Sequence, residues 1–114
     1  AITLHDRDAD LLNKLVTIIE DNMETETFSV DRLQREIGMS RMQLHRKLKA
    51  LTNQSASEFI RSIKLKRAAQ LLQQGGIQIT EVAYQSGFNH LSYFAKCFKE
   101  EFGLSPTEYA KNQA

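Results

Sequence analysis

Residues that interrupt helices are scarce in this 114-residue chain, which contains one proline and five glycines. No stretch alternates apolar and polar side chains over several residues, the pattern of a half-buried strand. These two absences predict an all-α fold. No apolar run approaches the roughly 20 residues that a membrane-spanning helix needs, and no secretory signal pattern opens the chain. We therefore expect no membrane contact by this segment and a cytoplasmic location.

Groups that commonly build reactive sites are equally few. Cys97 is the single cysteine, so no disulfide can form within the chain, which suits a reducing compartment. The three histidines and Cys97 lack metal-ligand spacing, and no nucleophile accompanies a general base. We expect no metal, no cofactor and no catalytic residues. Because the chain begins with alanine rather than methionine, we also expect it to be part of a longer protein.

What the sequence does have is strongly segregated charge, hidden by a net value of +1. Residues 1–31 hold two basic and eight acidic side chains, whereas residues 32–67 hold ten basic and two acidic ones. Residues 68–114 are close to neutral, with three lysines and four acids. A basic middle is the electrostatic footprint of phosphate contact, although a solvated helix face has the same composition.

An internal repeat is the most informative pattern. Residues 30–59 and 79–109 align at an offset of 49, which becomes 50 after one inserted residue. Each copy predicts a short helix, a tight turn, a longer helix and the capped start of another. That order is typical of the helix-turn-helix, which places its second helix in a DNA major groove.

The repeat predicts seven helices, with two helix-turn-helix units joined by a long linker helix. The predicted segments are an acidic amphipathic helix (1–27), a first unit (28–54), the linker helix (55–76) and a second unit (77–114). The first helix is expected from Ala9 to Asn22 and the fifth from Thr80 to Ser86. Capping boxes are expected at Ser40 with Gln43, Ser55 with Glu58, and Ser105 with Glu108, and helix stops at Gly38, Asn53, Gly75-Gly76, Gly87 and Gly103.

Winding the third helix at about 100° per residue separates two faces. The predicted core face consists of Leu44, Leu48 and Leu51. The opposite face carries Met42, His45, Arg46 and Lys49.

This polar face has the side chains that base edges and phosphates require. Arg46 can give two donors to guanine O6 and N7, His45 can donate to or accept from a base edge, and Met42 can touch a thymine methyl. Arg41 and Lys49 are predicted to meet phosphates.

At the offset of 50, the corresponding face of the sixth helix carries Ser92, Ala95, Lys96 and Lys99. This face is chemically poorer, so we expect more base discrimination from the third helix and more backbone anchoring from the sixth. Lys99 is assigned to phosphate. From the linker helix, Arg61 and Lys64 are assigned to phosphate as well.

Two stretches resemble the AraC/XylS family. Residues 83–109, AYQSGFNHLSYFAKCFKEEFGLSPTEY, are similar to the family signature, and residues 39–52, MSRMQLHRKLKALT, look like its first helix-turn-helix. The resemblance covers about residues 28–110, with departures at Gln34 and Ala56. It implies that two units joined by a long helix bind adjacent major-groove segments of double-stranded DNA. Its implied base-reading positions are Met42, His45, Arg46, Ser92 and Lys96.

The first helix, followed closely by the first unit, looks like the form of this domain that ends hybrid two-component regulators. The resemblance implies an upstream signalling domain in a longer chain, with RNA polymerase as a further partner. We expect the first helix to pack on the first unit and to transmit the state of that upstream domain.

One alternative from another class stays open at this point. A helical protein-protein interaction module without DNA binding would share the composition and the helices. Salt separates the two, because phosphate contacts weaken steeply with ionic strength and an apolar groove does not.

Overall fold

The computed structural model describes residues 6–25 and 28–112, and every regular element within these ranges is a helix. Across them the helices are α1 (Asp6–Asp21), α2 (Val30–Ile37), α3 (Arg41–Thr52), α4 (Ala56–Gln74), α5 (Ile79–Gln85), α6 (Leu91–Phe102) and α7 (Pro106–Asn112). The all-α class and the seven helices are as predicted.

The chain forms two compact units. Unit 1 consists of Ala1–Asn22 and Thr27–Arg61, and unit 2 consists of Met23–Glu26 and Ser62–Ala114. Each unit contains one helix-turn-helix, α2–α3 in unit 1 and α5–α6 in unit 2. Helix α4 begins in unit 1 and ends in unit 2, so the division lies inside the segment expected as a separate linker.

Capping residues set most helix ends where the sequence predicts them. The Ser40 hydroxyl accepts from the Gln43 amide at 3.1 Å, while the Gln43 side chain accepts from the Ser40 amide at 2.9 Å. The same reciprocal pairs open α4 and α7, with glutamate in place of glutamine: Ser55 with Glu58, and Ser105 with Glu108. Each box thereby satisfies two backbone amides that have no partner within the helix.

The hydrogen bonds in these boxes lower the pKa values of the two glutamates. The hydrogen bond from the Ser55 amide is the main reason that the pKa of Glu58 lies below its ordinary value, and the Ser55 hydroxyl adds to it. Ser105 lowers the pKa of Glu108 in the same way. Such bonds favour the charged carboxylate over the neutral acid.

The boundaries of two helices differ from the prediction. Helix α1 begins at Asp6 rather than Ala9, because Asp6 and Asp8 occupy its first turn, where negative charge suits the helix dipole. Helix α5 begins at Ile79 and ends at Gln85, one residue earlier at each end than predicted. Ser86, the next residue, is fully buried and donates its hydroxyl to the Val82 and Ala83 carbonyls.

Unit 1 buries one face of each of its first three helices. The fully buried side chains are Leu15 and Ile19 of α1, Leu33 of α2, and Leu44 and Leu48 of α3. Helix α2 contacts both α1 and α3. The packing of α1 on the first helix-turn-helix is therefore confirmed, whereas the predicted core residue Leu51 is only partly buried.

Unit 2 is built around phenylalanine. Phe94 and Phe98 of α6 are fully buried among aliphatic residues of α4 and α5, and their ring centroids lie 5.8 Å apart. Phe88 extends this row at one end and Phe102 at the other. Cys97 is buried in the same cluster as a free thiol, in the packing role expected from its position.

Candidate nucleic-acid interface

Helix α3 separates its two faces as its sequence predicts. Leu44 and Leu48 are completely buried and therefore fix the helix against unit 1. The opposite stripe of α3 is exposed throughout, and its members are Met42, His45, Arg46 and Lys49. Met42 is 64% exposed and adds an apolar group to this otherwise polar stripe. A rigid helix thus presents a continuous, chemically varied surface to solvent.

Arg46 and Met42 interact along this stripe. The Nη2 atom of Arg46 donates to Sδ of Met42 at 3.2 Å, one helical turn away. Thioether sulfur is a weak acceptor, and a guanidinium has five N–H donors. The contact therefore orients Arg46 while leaving its charge and most of its donors available for a ligand.

Two basic residues of α3 were assigned to phosphate, Arg41 and Lys49, and each has an exposed partner. Arg41 forms an ion pair with Asp31 of α2, and both side chains are largely exposed. Lys49 donates to the carbonyl oxygen of Asn53 at 3.5 Å. Solvent-exposed ion pairs contribute little free energy, so exchanging Asp31 for a phosphate costs Arg41 little.

Lys47 lies outside the exposed stripe and has a different task. Its Nζ atom is 3.0 Å from the Asp8 carboxylate of α1, and the Asp8 side chain is only 16% exposed. The acidic start of α1 is thereby held to α3 on a side other than the one that carries Arg46. Helix α3 thus contacts α1 through Lys47 and keeps the stripe that carries Arg46 exposed to solvent.

Helix α6 repeats the arrangement in unit 2 with fewer kinds of polar group. Phe94 and Phe98 are buried, while Ser92, Lys96 and Lys99 are exposed. Ala95, which lies between them, is partly buried. The predicted stripe is therefore present, but it offers one hydroxyl and two ammonium groups where α3 offers an imidazole, a guanidinium, an ammonium group and a thioether.

Leu91, the first residue of α6, was not among the residues predicted for the interface. Leu91 is 45% exposed and precedes Ser92 on the same end of the helix. The repeat indicates this position, because Leu91 aligns at the offset of 50 with Arg41, which was predicted to contact DNA. An exposed leucine here adds an apolar group of the kind that contacts thymine methyls.

The two basic residues assigned to phosphate from α4 are less accessible than those of α3. Arg61 is partly buried and lies close enough to Glu58 to help lower the pKa of that carboxyl. Lys64 is partly buried in unit 2, and its Nζ atom donates to the carbonyl oxygen of Gly87 at 3.1 Å. Desolvation by burial lowers the pKa of Lys64. The ammonium group of Lys64, which the sequence assigned to phosphate, therefore has a hydrogen-bond partner within unit 2.

The part of the chain that the structure describes contains no candidate metal site and no helix suited to cross a membrane. No group of three or more histidine, cysteine, aspartate or glutamate side chains there is arranged to hold a metal ion. His5 lies outside the described residues. None of the described helices combines the length and the apolar character needed to cross a membrane.

The comparisons with known proteins agree with this geometry. A family model described as a helix-turn-helix domain matches residues 33–112. The crystal structure of a transcriptional regulator with an AraC-type DNA-binding domain, from Chromobacterium violaceum, superposes with a TM-score of 0.85 at 29% identity, covering 96% of this chain and 97% of that one. This chain belongs to the AraC-type helix-turn-helix family. It is a DNA-binding domain of the kind that transcription regulators contain.

The curated relatives that this chain matches are much longer than it. It is 46% identical over 108 residues to "Histidine kinase P4" of Formosa agariphila, of which it spans 8%. It is also 35% identical over 102 residues to the transcriptional regulator GbdR of Pseudomonas aeruginosa, of which it spans 28%. The AraC-type domain is thus a small part of each of these relatives.

Proposed function

We propose that this chain binds double-stranded DNA sequence-specifically, with α3 and α6 each reading base edges in a major-groove segment, and so regulates transcription. The observation that carries the proposal is the exposed stripe of α3, backed by the fully buried Leu44 and Leu48. Because Leu44 and Leu48 are fixed in the core, the polar side chains of α3 keep the spacing needed to contact successive base pairs. A flexible surface helix would lose entropy on docking.

We assign the base contacts to five exposed residues. Arg46 reads guanine through O6 and N7, with Met42 holding the guanidinium and touching a neighbouring thymine methyl. His45 reads the next base edge. Ser92 and Lys96 read the second segment, where fewer donors give weaker discrimination.

Backbone contacts supply the sequence-independent part of the affinity. We assign them to Arg41, Lys49, Arg61 and Lys99, and we leave Lys64 out because its ammonium group is bound to Gly87. Four neutralised phosphates correspond to a log–log salt slope of about −4.

The larger protein is proposed to be a signalling regulator. Support comes from the 46% identity to a segment that makes up 8% of a histidine kinase. In that setting this chain is a non-catalytic output module in the cytoplasm, controlled by an upstream domain and acting on RNA polymerase. Catalysis, if the longer protein has it, belongs to its other domains.

The test is selection of bound sequences from a random double-stranded pool, followed by titration of the enriched site at several salt concentrations. We expect an enriched motif covering about two helical turns and a log–log slope of about −4. A scrambled site of equal length is the control, and it should bind more weakly at every salt concentration. No enriched motif together with a slope near zero would favour the protein-interaction alternative.

A further inference from the structure

The turns of the two helix-turn-helix units differ in how tightly they are held. Gly38 and Gly87 both have positive φ, at 76° and 89°. A Cβ atom added to Gly38 would meet no atom within 4 Å. A Cβ atom added to Gly87 would lie 2.5 Å from the Met23 carbonyl oxygen and 3.0 Å from Cε of Lys64. The turn of unit 2 is therefore enclosed, whereas that of unit 1 is open.

Lys64 supplies one side of this enclosure. Its aliphatic stem packs on Gly87, and its Nζ atom donates to the Gly87 carbonyl oxygen at 3.1 Å. The same ammonium group lies 5.9 Å from the centroid of the Phe88 ring, within range of a cation–π contact. Because the ammonium group is partly buried, burial lowers its pKa, and losing this bond would leave a poorly solvated charge.

The enclosed turn leads directly into the reading helix of unit 2. Phe88 packs on Phe94 with ring centroids 5.1 Å apart, and Phe94 is the fully buried anchor in the first turn of α6. Ser92 and Lys96 lie two residues to either side of this anchor. A shift of the Gly87–Phe88 turn therefore moves the start of α6, and with it the side chains proposed to read bases.

We propose that Lys64 is a positioning residue for DNA reading by α6, acting through the Gly87 carbonyl and the Phe88 ring rather than on phosphate. The proposal rests on the proposed function, since it assumes that α6 meets DNA. It gives α4 a specific task in unit 2, which is to fix the turn before the second reading helix. The first unit has no equivalent requirement, because space beside Gly38 is open.

The two roles of Lys64 differ in their salt dependence. Lys64→Met keeps most of the stem and removes the charged donor. A positioning role predicts about tenfold weaker binding to the selected site, lost discrimination only at the base pairs assigned to α6, and an unchanged salt slope. A phosphate contact predicts uniform weakening on all sequences and a slope smaller by about 0.9. That second pattern would overturn the proposal.

Matched variants complete the experiment. Lys66→Met removes the same charge from an exposed position two residues away on α4, and it should retain discrimination at the α6 base pairs. Lys64→Arg keeps a cationic donor and should recover part of the discrimination. If Lys64→Met and Lys66→Met behave alike at these base pairs, Lys64 does not position α6.

Hydrogen exchange provides a readout without DNA. In Lys64→Met the amides from Phe88 to Phe94 should exchange faster than in the unmodified chain, while those of α3 should not change. Unaltered exchange from Phe88 to Phe94 would contradict the proposal even if DNA binding were never detected. Failure of the unmodified chain to select any DNA would instead count against the proposed function.

Discussion

Arg46 and Lys64 show how differently two cations can be used within one small domain. The Arg46 guanidinium is exposed and donates to a weak sulfur acceptor, which leaves most of its donors available for a ligand. The Lys64 ammonium is partly buried and bonded to a backbone carbonyl. Charge alone does not distinguish these roles. Their different surroundings do.

Replacing Arg46 with alanine should therefore affect sequence preference more than overall attraction to DNA. We expect Arg46→Ala to cost about 1–3 kcal/mol on the selected site and to relax discrimination at one or two base pairs, because a bidentate contact to guanine is lost. The measurement is equilibrium binding to the selected site and to its single-base variants.

Lys99→Ala is the matched control for Arg46→Ala, since it also removes one exposed positive charge from a reading helix. It should weaken all sequences by a similar factor and reduce the salt slope by about 0.9. An unchanged ratio of selected to scrambled binding in Arg46→Ala would identify Arg46 as a phosphate contact instead.

At the scale of single elements, three capping boxes start helices by the same geometry but with different chemistry. The box of α3 uses the uncharged Gln43, whereas those of α4 and α7 use Glu58 and Glu108. The pKa of each glutamate is lowered by its cap from the ordinary value of 4.5. A group with a lowered pKa in the folded state stabilises that state above its unfolded pKa, and the contribution disappears as the pH falls through the folded pKa.

Acid should consequently loosen α4 and α7 at their N-terminal ends. We expect the free energy of unfolding to decrease as the pH falls below 4.5, with part of the decrease removed by Glu58→Gln and Glu108→Gln together. Urea unfolding between about pH 3 and pH 7 measures this dependence.

Gln43→Glu is the complementary control, because it introduces a titratable group into the box of α3. It should add acid dependence where none is expected from Gln43. If the double glutamine variant loses stability with falling pH as steeply as the unmodified chain, other carboxylates dominate acid unfolding.

Local signals explain which parts of the fold and of the interface the sequence could predict. Helix starts depend on residues three positions apart, and the stripe of Met42, His45 and Arg46 depends only on helical winding, so both were predictable. The role of Lys64 was not, because its partner Gly87 lies 23 positions away and is brought near by packing. The burial of Ser86 after the end of α5 was not predictable either, because its sequence neighbours do not reveal it.

At the scale of the whole molecule, the segregation of charge matches the division of labour. Basic residues are concentrated between positions 32 and 67, which include most of α2, all of α3 and the first part of α4, while eight of the fourteen acidic residues precede them. Acidic α1 holds Lys47 through Asp8 and leaves the Met42–Lys49 stripe exposed. Unit 1 thus combines seven of the ten basic residues of this region with the stripe proposed to read bases, and unit 2 contributes an apolar, aromatic core with a simpler proposed stripe.

A high-resolution footprint on the selected site tests most directly whether both units of one molecule read DNA. We expect two protected segments, with Arg46→Ala relaxing base preference in one segment only and Lys96→Ala relaxing it in the other only. Separate effects would follow from two reading helices, each backed by its own core. A single protected segment would contradict reading by two units if its base preference changed in Arg46→Ala but not in Lys96→Ala.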